Sequence, residues 1–264
     1  MVDATLTYVD RGTIRTDINF ILENRNVASA ADSNPDATMA DGPVYNVVID
    51  HPEATILWDT GSHPEAGSGH WPVELYAGFE HADAAERDLE TALDDVGYTI
   101  ADIDAVVQTH LHLDHAGGLH NFAGTDVPIF VHEEELKFAY YSAKTDAGSS
   151  AYVVDDFDHE LNWQILHRER EQYFEDIEFL HLPGHTPGLV GSVIHLDDGT
   201  VILTGDETYV EENYRDEHPM GGSLLWSKRH WFESLQWLKE LERRHDATVF
   251  CGHDPEHAEQ LRNW

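Results

Sequence analysis

Short apolar blocks alternate with polar turns along the whole chain, and their period sets most of the expected elements. Leu6-Thr7-Tyr8-Val9 reads as a first strand, and Asn19-Phe20-Ile21-Leu22 as a brief apolar segment before a small-residue, polar loop from Ala28 to Gly42 that is expected to be mobile. Val44 to Ile49 and Thr55 to Trp58 are strand-like runs joined by a turn at Asp50-His51-Pro52-Glu53, hence a hairpin. The second run ends in Asp59-Thr60-Gly61, where the aspartate serves either turn chemistry or as a carboxylate supporting a nearby site. The segment 62–80 is a loop rich in Gly, Pro and aromatics, with Trp71, Tyr76 and Phe79 either pinning it to the core or lining a pocket. Ala82 to Val96 has Leu89, Leu93 and Val96 at helical spacing, with Gly97 as the stop.

Ile103 to Val107 is β-prone and leads into Thr109-His110-Leu111-His112-Leu113-Asp114-His115. In an extended chain successive side chains point to opposite faces, so His110, His112 and Asp114 are expected on one side and Leu111 and Leu113 on the other. Gly117-Gly118 then lets the backbone turn and bring His115 to the polar side. Further on, Val127 to Val131 reads as a strand and Glu133 to Tyr141 as a helix, followed by an irregular segment, 142–161, that is a candidate pocket loop.

The second half repeats one pattern. Ile177 to Leu182 leads to Pro183-Gly184-His185, Val201 to Thr204 to Gly205-Asp206, and Ala247 to Phe250 to Cys251-Gly252-His253. Each is an apolar strand, then a glycine, then a side chain able to bind metal. A helix from Trp231 to Arg244 carries Leu235, Leu238 and Leu241 inward, and a last helix begins at Asp254-Pro255. Strands alternating with helices, without a Gly-rich phosphate motif, point to a layered α/β fold rather than a nucleotide-binding sheet. No internal repeat is visible, and 1–264 reads as a single domain.

Imidazole and carboxylate are favoured ligands for zinc and its neighbours. His110, His112, Asp114, His115, His185, Asp206 and His253 exceed what one tetrahedral ion can use. Two divalent ions use them well: His110, His112 and His185 for the first, Asp114, His115 and His253 for the second, with Asp206 between. Zinc is the expected metal. Of the chain's 19 histidines most must be ordinary, and His51, His63, His81, His159 and His257 read as surface groups.

Composition narrows the setting. Acidic residues number 51 against 15 basic ones, for a net charge of -36, which leaves no basic footprint for nucleic acid. With 10% aromatic and 41% hydrophobic residues the chain is a packed globule, not a disordered acidic tail. Only Lys137, Lys144, Lys228 and Lys239 are lysines, and that shortage beside the acidic excess points to a surface adapted to molar salt, the habit of a halophile. At about 1 M salt the screening length is roughly 3 Å, which removes most self-repulsion. No run approaches the ~18 apolar residues of a membrane span and no signal-peptide pattern stands at the start, so a cytoplasmic protein is expected. The one cysteine, Cys251, cannot form an internal disulfide.

His110-x-His112-x-Asp114-His115 with His185, Asp206 and His253 resembles the metallo-β-lactamase fold superfamily, as does Trp58-Asp59-Thr60-Gly61. The resemblance implies an αββα sandwich with the metals at one edge. Thr109 to Gly118, Asp206-Glu207-Thr208-Tyr209 running on to Glu217, and Phe250 to Asp254 most resemble the N-acyl-homoserine lactone lactonases, the quorum-quenching enzymes. By that resemblance Tyr209 meets the substrate carbonyl, a metal-bridging hydroxide attacks the lactone, and Asp114 passes a proton to the leaving alkoxide. Many relatives carry a histidine where Leu189 stands, which bears on substrate preference more than on metal binding. The alternatives are a thioesterase of the glyoxalase II type or a hydrolase of another lactone or ester on the same site, and, in a different class, a non-catalytic metal-binding or electron-transfer module. A small-molecule lactone is the expected partner, with no nucleic acid or membrane; a homo-oligomer stays open.

Overall fold

The computed structural model describes residues 2–145 and 147–264. Its strands are β1 (Thr5–Asp17), β2 (Met39–His51), β3 (Ala54–Trp58), β4 (Phe79–Glu80), β5 (Ala105–Val107), β6 (Pro128–His132), β7 (Asn162–Leu166), β8 (Arg170–Tyr173), β9 (Ile177–His181), β10 (Val190–Leu196), β11 (Gly199–Leu203) and β12 (Thr248–Phe250). One sheet runs β4-β1-β2-β3-β5-β6-β7 and the other β12-β11-β10-β9-β8. Alternate residues of each inner strand serve different layers. Val47, Ile49, Ile56, Trp58, Val201 and Leu203 pack between the sheets, whereas Val48 and Leu57 face outward under one helical layer and Ile202 under the other. A strand buried on both faces needs apolar residues at successive positions, which is why these strands were visible as blocks.

The helices are α1 (Ile18–Ile21), α2 (Val73–Gly78), α3 (Leu89–Asp94), α4 (Glu133–Thr145), α5 (Val154–Phe157), α6 (Glu211–Arg215), α7 (Lys228–His245) and α8 (Pro255–Arg262). Leu89, Leu93, Ala139 and Phe157 cover the first sheet, and Trp231, Leu235, Leu238 and Leu241 cover the second. The result is the expected αββα sandwich. Ser227 caps α7 by accepting from the His230 amide, and Asp254 caps α8 ahead of Pro255. Among the described residues no helix is long and apolar enough to cross a membrane.

Several expectations change. The helix anticipated over 82–96 is helical only as α3, because the Asp88 carboxylate accepts from Thr91 N at 3.1 Å and Thr91 Oγ1 at 2.6 Å and so starts it late. The first strand extends to Asp17 through a register shift between Asp10 and Thr13, and Arg11 at that irregularity is buried. Of the histidines read as surface groups, His81 and His51 are buried. His81 Nδ1 bonds Ser62 Oγ at 2.8 Å and its Nε2 the Arg11 carbonyl at 2.9 Å, while His51 stacks on Phe174. Polar sequence surroundings hid both.

Strand direction gathers the functional loops. β3 and β5 run parallel, as do β11 and β12, and β9 is antiparallel to β10, itself antiparallel to β11. The C-terminal ends of β3 and β5 therefore lie at one edge of the first sheet, and those of β9, β11 and β12 at one edge of the second.

Candidate metal centre

Beyond β5 the histidine cluster leaves the extended conformation, contrary to the alternating strand expected. His115 N and Ala116 N both bond the His112 carbonyl, at 3.0 and 2.9 Å, so Leu113 to His115 form a turn. The turn splits the cluster between two groups of potential ligands. His110, His112 and His185 bring ligand atoms within 4.8 Å of one another, and so do Asp114, His115, Asp206 and His253. Leu111 and Leu113 still point into apolar clusters, although different ones.

Asp206 stands between the groups. Its Oδ2 lies 3.5 Å from His185 Nε2 and 3.7 Å from His110 Nε2, and its Oδ1 lies 3.2 Å from His253 Nε2 and 3.3 Å from His115 Nε2. Gly205 at φ 55° turns the chain to deliver it, and at Gly252 a Cβ would sit 2.8 Å from Asp206 Oδ1, so both expected glycines are required.

The outer ring nitrogens are spoken for. His185 Nδ1 meets the Leu224 carbonyl at 2.6 Å, His253 Nδ1 the Pro43 carbonyl at 2.9 Å, and His115 Nδ1 the Asp59 carboxylate at 2.9 Å. A proton held on Nδ1 by such an acceptor leaves the Nε2 lone pair for the centre. Asp59 thus resolves in favour of both readings. It adopts φ 60°, and it accepts from Thr109 N and Thr109 Oγ1, each at 2.8 Å, besides orienting His115.

Inside the ring, Nε2 of His110, His115 and His253 and both oxygens of Asp206 are buried without a hydrogen-bond partner, while His112 turns its Nδ1 to within 2.9 Å of His185 Nε2. Leaving a buried polar atom unpaired costs about 1–3 kcal/mol, so this many in one place fits a centre made for cations. Electrostatics agree. Burial, reinforced by neighbouring rings, drives His110 and His112 well below the ordinary imidazole range, which keeps them neutral, the form in which imidazole can bind metal. Burial resists charge on Asp206, but His115 and His253 outweigh it and hold the carboxyl well below its usual range.

A cleft opens beside the centre, with an empty volume, mouth included, of about 810 Å³. Its apolar wall is Ile14, Phe20, Leu75, Phe79 and Leu113, and His112, Asp114 and Tyr209 face it from the centre. Tyr209 is buried, its ring 4.6 Å from that of His253 and 5.7 Å from that of His185. Both suspected loops contribute, 62–80 through Leu75 and Phe79 and 142–161 through Ser149 to Ala151, while Trp71 instead pins its loop in the core. Leu189 is buried in the layer behind the centre, 3.7 Å from where a Gly205 Cβ would stand. All seven expected ligands and Tyr209 therefore meet where one edge of each sheet faces the other. Glu135, Tyr152 and Thr186 are neighbours that the sequence reading passed over.

Residues 39–253 match the metallo-beta-lactamase superfamily, and the chain belongs to that superfamily. Within it, the chain is most readily set beside N-acyl homoserine lactonases. It is 30% identical over 261 residues to N-acyl homoserine lactonase AiiB of Agrobacterium fabrum, covering 95% of this chain and 94% of the relative. With AiiA of Bacillus thuringiensis subsp. kurstaki it shares 30% over 224 residues, 83% of this chain and 84% of that one. A solved N-acyl homoserine lactone hydrolase, with N-hexanoyl-L-homoserine bound at its catalytic metal centre, superposes with a TM-score of 0.83 at 25% identity over 98% of this chain and 96% of its own. The dizinc quorum-quenching lactonase AidC shares the fold, with a TM-score of 0.68 at 18% identity over 97% of this chain and 89% of its own. The chain is a metal-dependent hydrolase, and its paired donor groups suit divalent ions.

Proposed function

We propose that this protein opens the lactone ring of N-acyl-homoserine lactones. The observation that carries the reading is the juxtaposition of two donor groups, with Asp206 reaching from one to the other, and a buried tyrosine that lines an apolar cleft beside them. The similarity to lactonases named for that substrate supports it. In the proposed assignment His110, His112 and His185 hold one ion, Asp114, His115 and His253 the other, and Asp206 lies between them; the nitrogen-rich donor set favours zinc. When bound, such ions polarise a carbonyl and lower the pKa of water toward about 7.

This chain's own residues do the rest. The Tyr209 hydroxyl donates to the lactone carbonyl oxygen as negative charge develops there. Asp114, at the cleft surface, takes the proton lost by the attacking water and returns it to the ring oxygen as the alkoxide leaves. The apolar wall orients the acyl chain, and the product is the N-acyl-homoserine. Among the described residues no lysine or arginine lines the cleft, and Glu74 does, which disfavours an anionic glutathione thioester. The continuous core between the sheets supports taking 1–264 as one domain, and the acidic composition supports a molar-salt cytoplasm.

The test is purification in molar KCl, metal analysis, and acid release from a panel of lactones, thioesters and phosphodiesters. Turnover of N-acyl-homoserine lactones well above the rest is expected. Lactones left intact by fully metallated protein would sink the reading.

A further inference from the structure

Glu135 is a carboxylate with no exposed surface, on the first turn of α4 between Glu134 and Leu136. Its Oε1 accepts from Leu111 N at 2.9 Å and Tyr152 OH at 2.9 Å, and its Oε2 from Thr186 Oγ1 at 2.6 Å. A Cβ on Gly188 would stand 2.0 Å from Glu135 N, so the two backbones are in close contact there.

Leu111 and Thr186 come from the two segments that deliver one donor group. Leu111 separates His110 from His112, and Thr186 follows His185. Tyr152 adds its ring, 4.6 Å from that of His112. One side chain thus fixes the backbone between two candidate ligands, the backbone after a third, and the aromatic wall behind one of them. Every neighbour donates and none accepts, which matches an acceptor-only carboxylate; an amide in its place would turn N–H groups against donors.

We infer that Glu135 is a positioning residue that sets His110, His112 and His185 for metal, so that its loss weakens uptake at this group selectively. The inference rests on the two-ion reading above. The second group, Asp114, His115, Asp206 and His253, has its own supports in Asp59 and the Pro43 carbonyl.

Metal-stripped wild-type and Glu135→Gln proteins would be titrated with cobalt(II) in molar KCl, reading visible absorption and bound metal per chain. Wild type is expected to show two uptake steps. In Glu135→Gln one step stays in place and the other weakens by about ten- to a hundredfold, the usual cost of losing a residue that orients a metal ligand. Glu178→Gln removes another buried carboxylate, one paired with Arg170 and His195 outside the cleft, and should shift neither step. Should Glu135→Gln fail to fold, Thr186→Val removes one of the three hydrogen bonds and should weaken the same single step by less. Unshifted steps in a folded variant, or equal weakening of both, would overturn the inference. A wild-type chain that takes up fewer than two ions would instead overturn the two-ion reading.

Discussion

Tyr209 is buried between the rings of His185 and His253, and this confinement is what makes it useful. Burial, with the charges of Asp206 and Asp114 beside it, pushes the phenol pKa well above its ordinary range, so at neutral pH it is a hydrogen-bond donor. Tyr209→Phe keeps the packing and removes the donor. A hydrogen bond to a charged group contributes about 1.5–3 kcal/mol, so kcat/KM for lactones should fall by roughly ten- to a hundredfold with metal content unchanged. Unaltered turnover would remove the residue from the mechanism. The convergence of the seven candidate ligands was legible because they follow strands and neighbour glycines in a recognisable order, and Tyr209 was singled out by its place three residues after Asp206 in the lactonase resemblance. Glu135 was not, since it sits in a run of three glutamates and looks like solvated helix surface. Its signal was spacing: with Ala139 and Ser142 it forms the buried stripe of α4.

Among the elements, the ends of β6 and β9 meet through a stacked histidine pair. The rings of His132 and His181 lie 3.7 Å apart and nearly parallel at 11°. Burial, then the facing imidazole, lowers His132 to about 4, and burial lowers His181 too. An unfolded histidine titrates near ~6.5, so between that pH and about 4 the unfolded chain binds more protons and stability falls as pH drops. His132→Phe preserves a stack and should flatten part of this acid loss, measured as denaturation midpoints across the window in molar KCl. A variant with the wild-type slope would refute the assignment. The inner strands were legible because both their faces are buried. The edge strands β4, β7 and β8 mix polar residues into short runs and gave no apolar block, whereas the edge strand β12 did. β10 was hidden because Gly191 and Ser192 interrupt its run, where Gly191 packs on Leu182 and Ser192 accepts from Trp58 Nε1.

For the whole molecule the acidic excess dominates. A net charge of -36 spread over 264 residues repels itself at long range unless salt screens it. Going from about 0.1 M to 2 M KCl should raise the melting temperature by ~10 °C or more, since each kcal/mol moves it by about 2–4 °C in a chain of this size. A flat melting temperature would remove the case for a molar-salt habitat.

The donor groups join loops from different sheets: His110, His112, Asp114 and His115 follow β5, whereas His185, Asp206 and His253 follow β9, β11 and β12. An ion in either group is a rivet between the halves of the sandwich, and a rivet that exchanges with solution ties folding to supply. Each tenfold rise in free metal above the dissociation constant should add about 1.4 kcal/mol per site to unfolding free energy. Unfolding followed in buffers of graded free zinc would show this as a stability that climbs logarithmically, and a stability indifferent to zinc would exclude it. The cell's metal economy, rather than the sequence alone, then sets how long this chain stays folded.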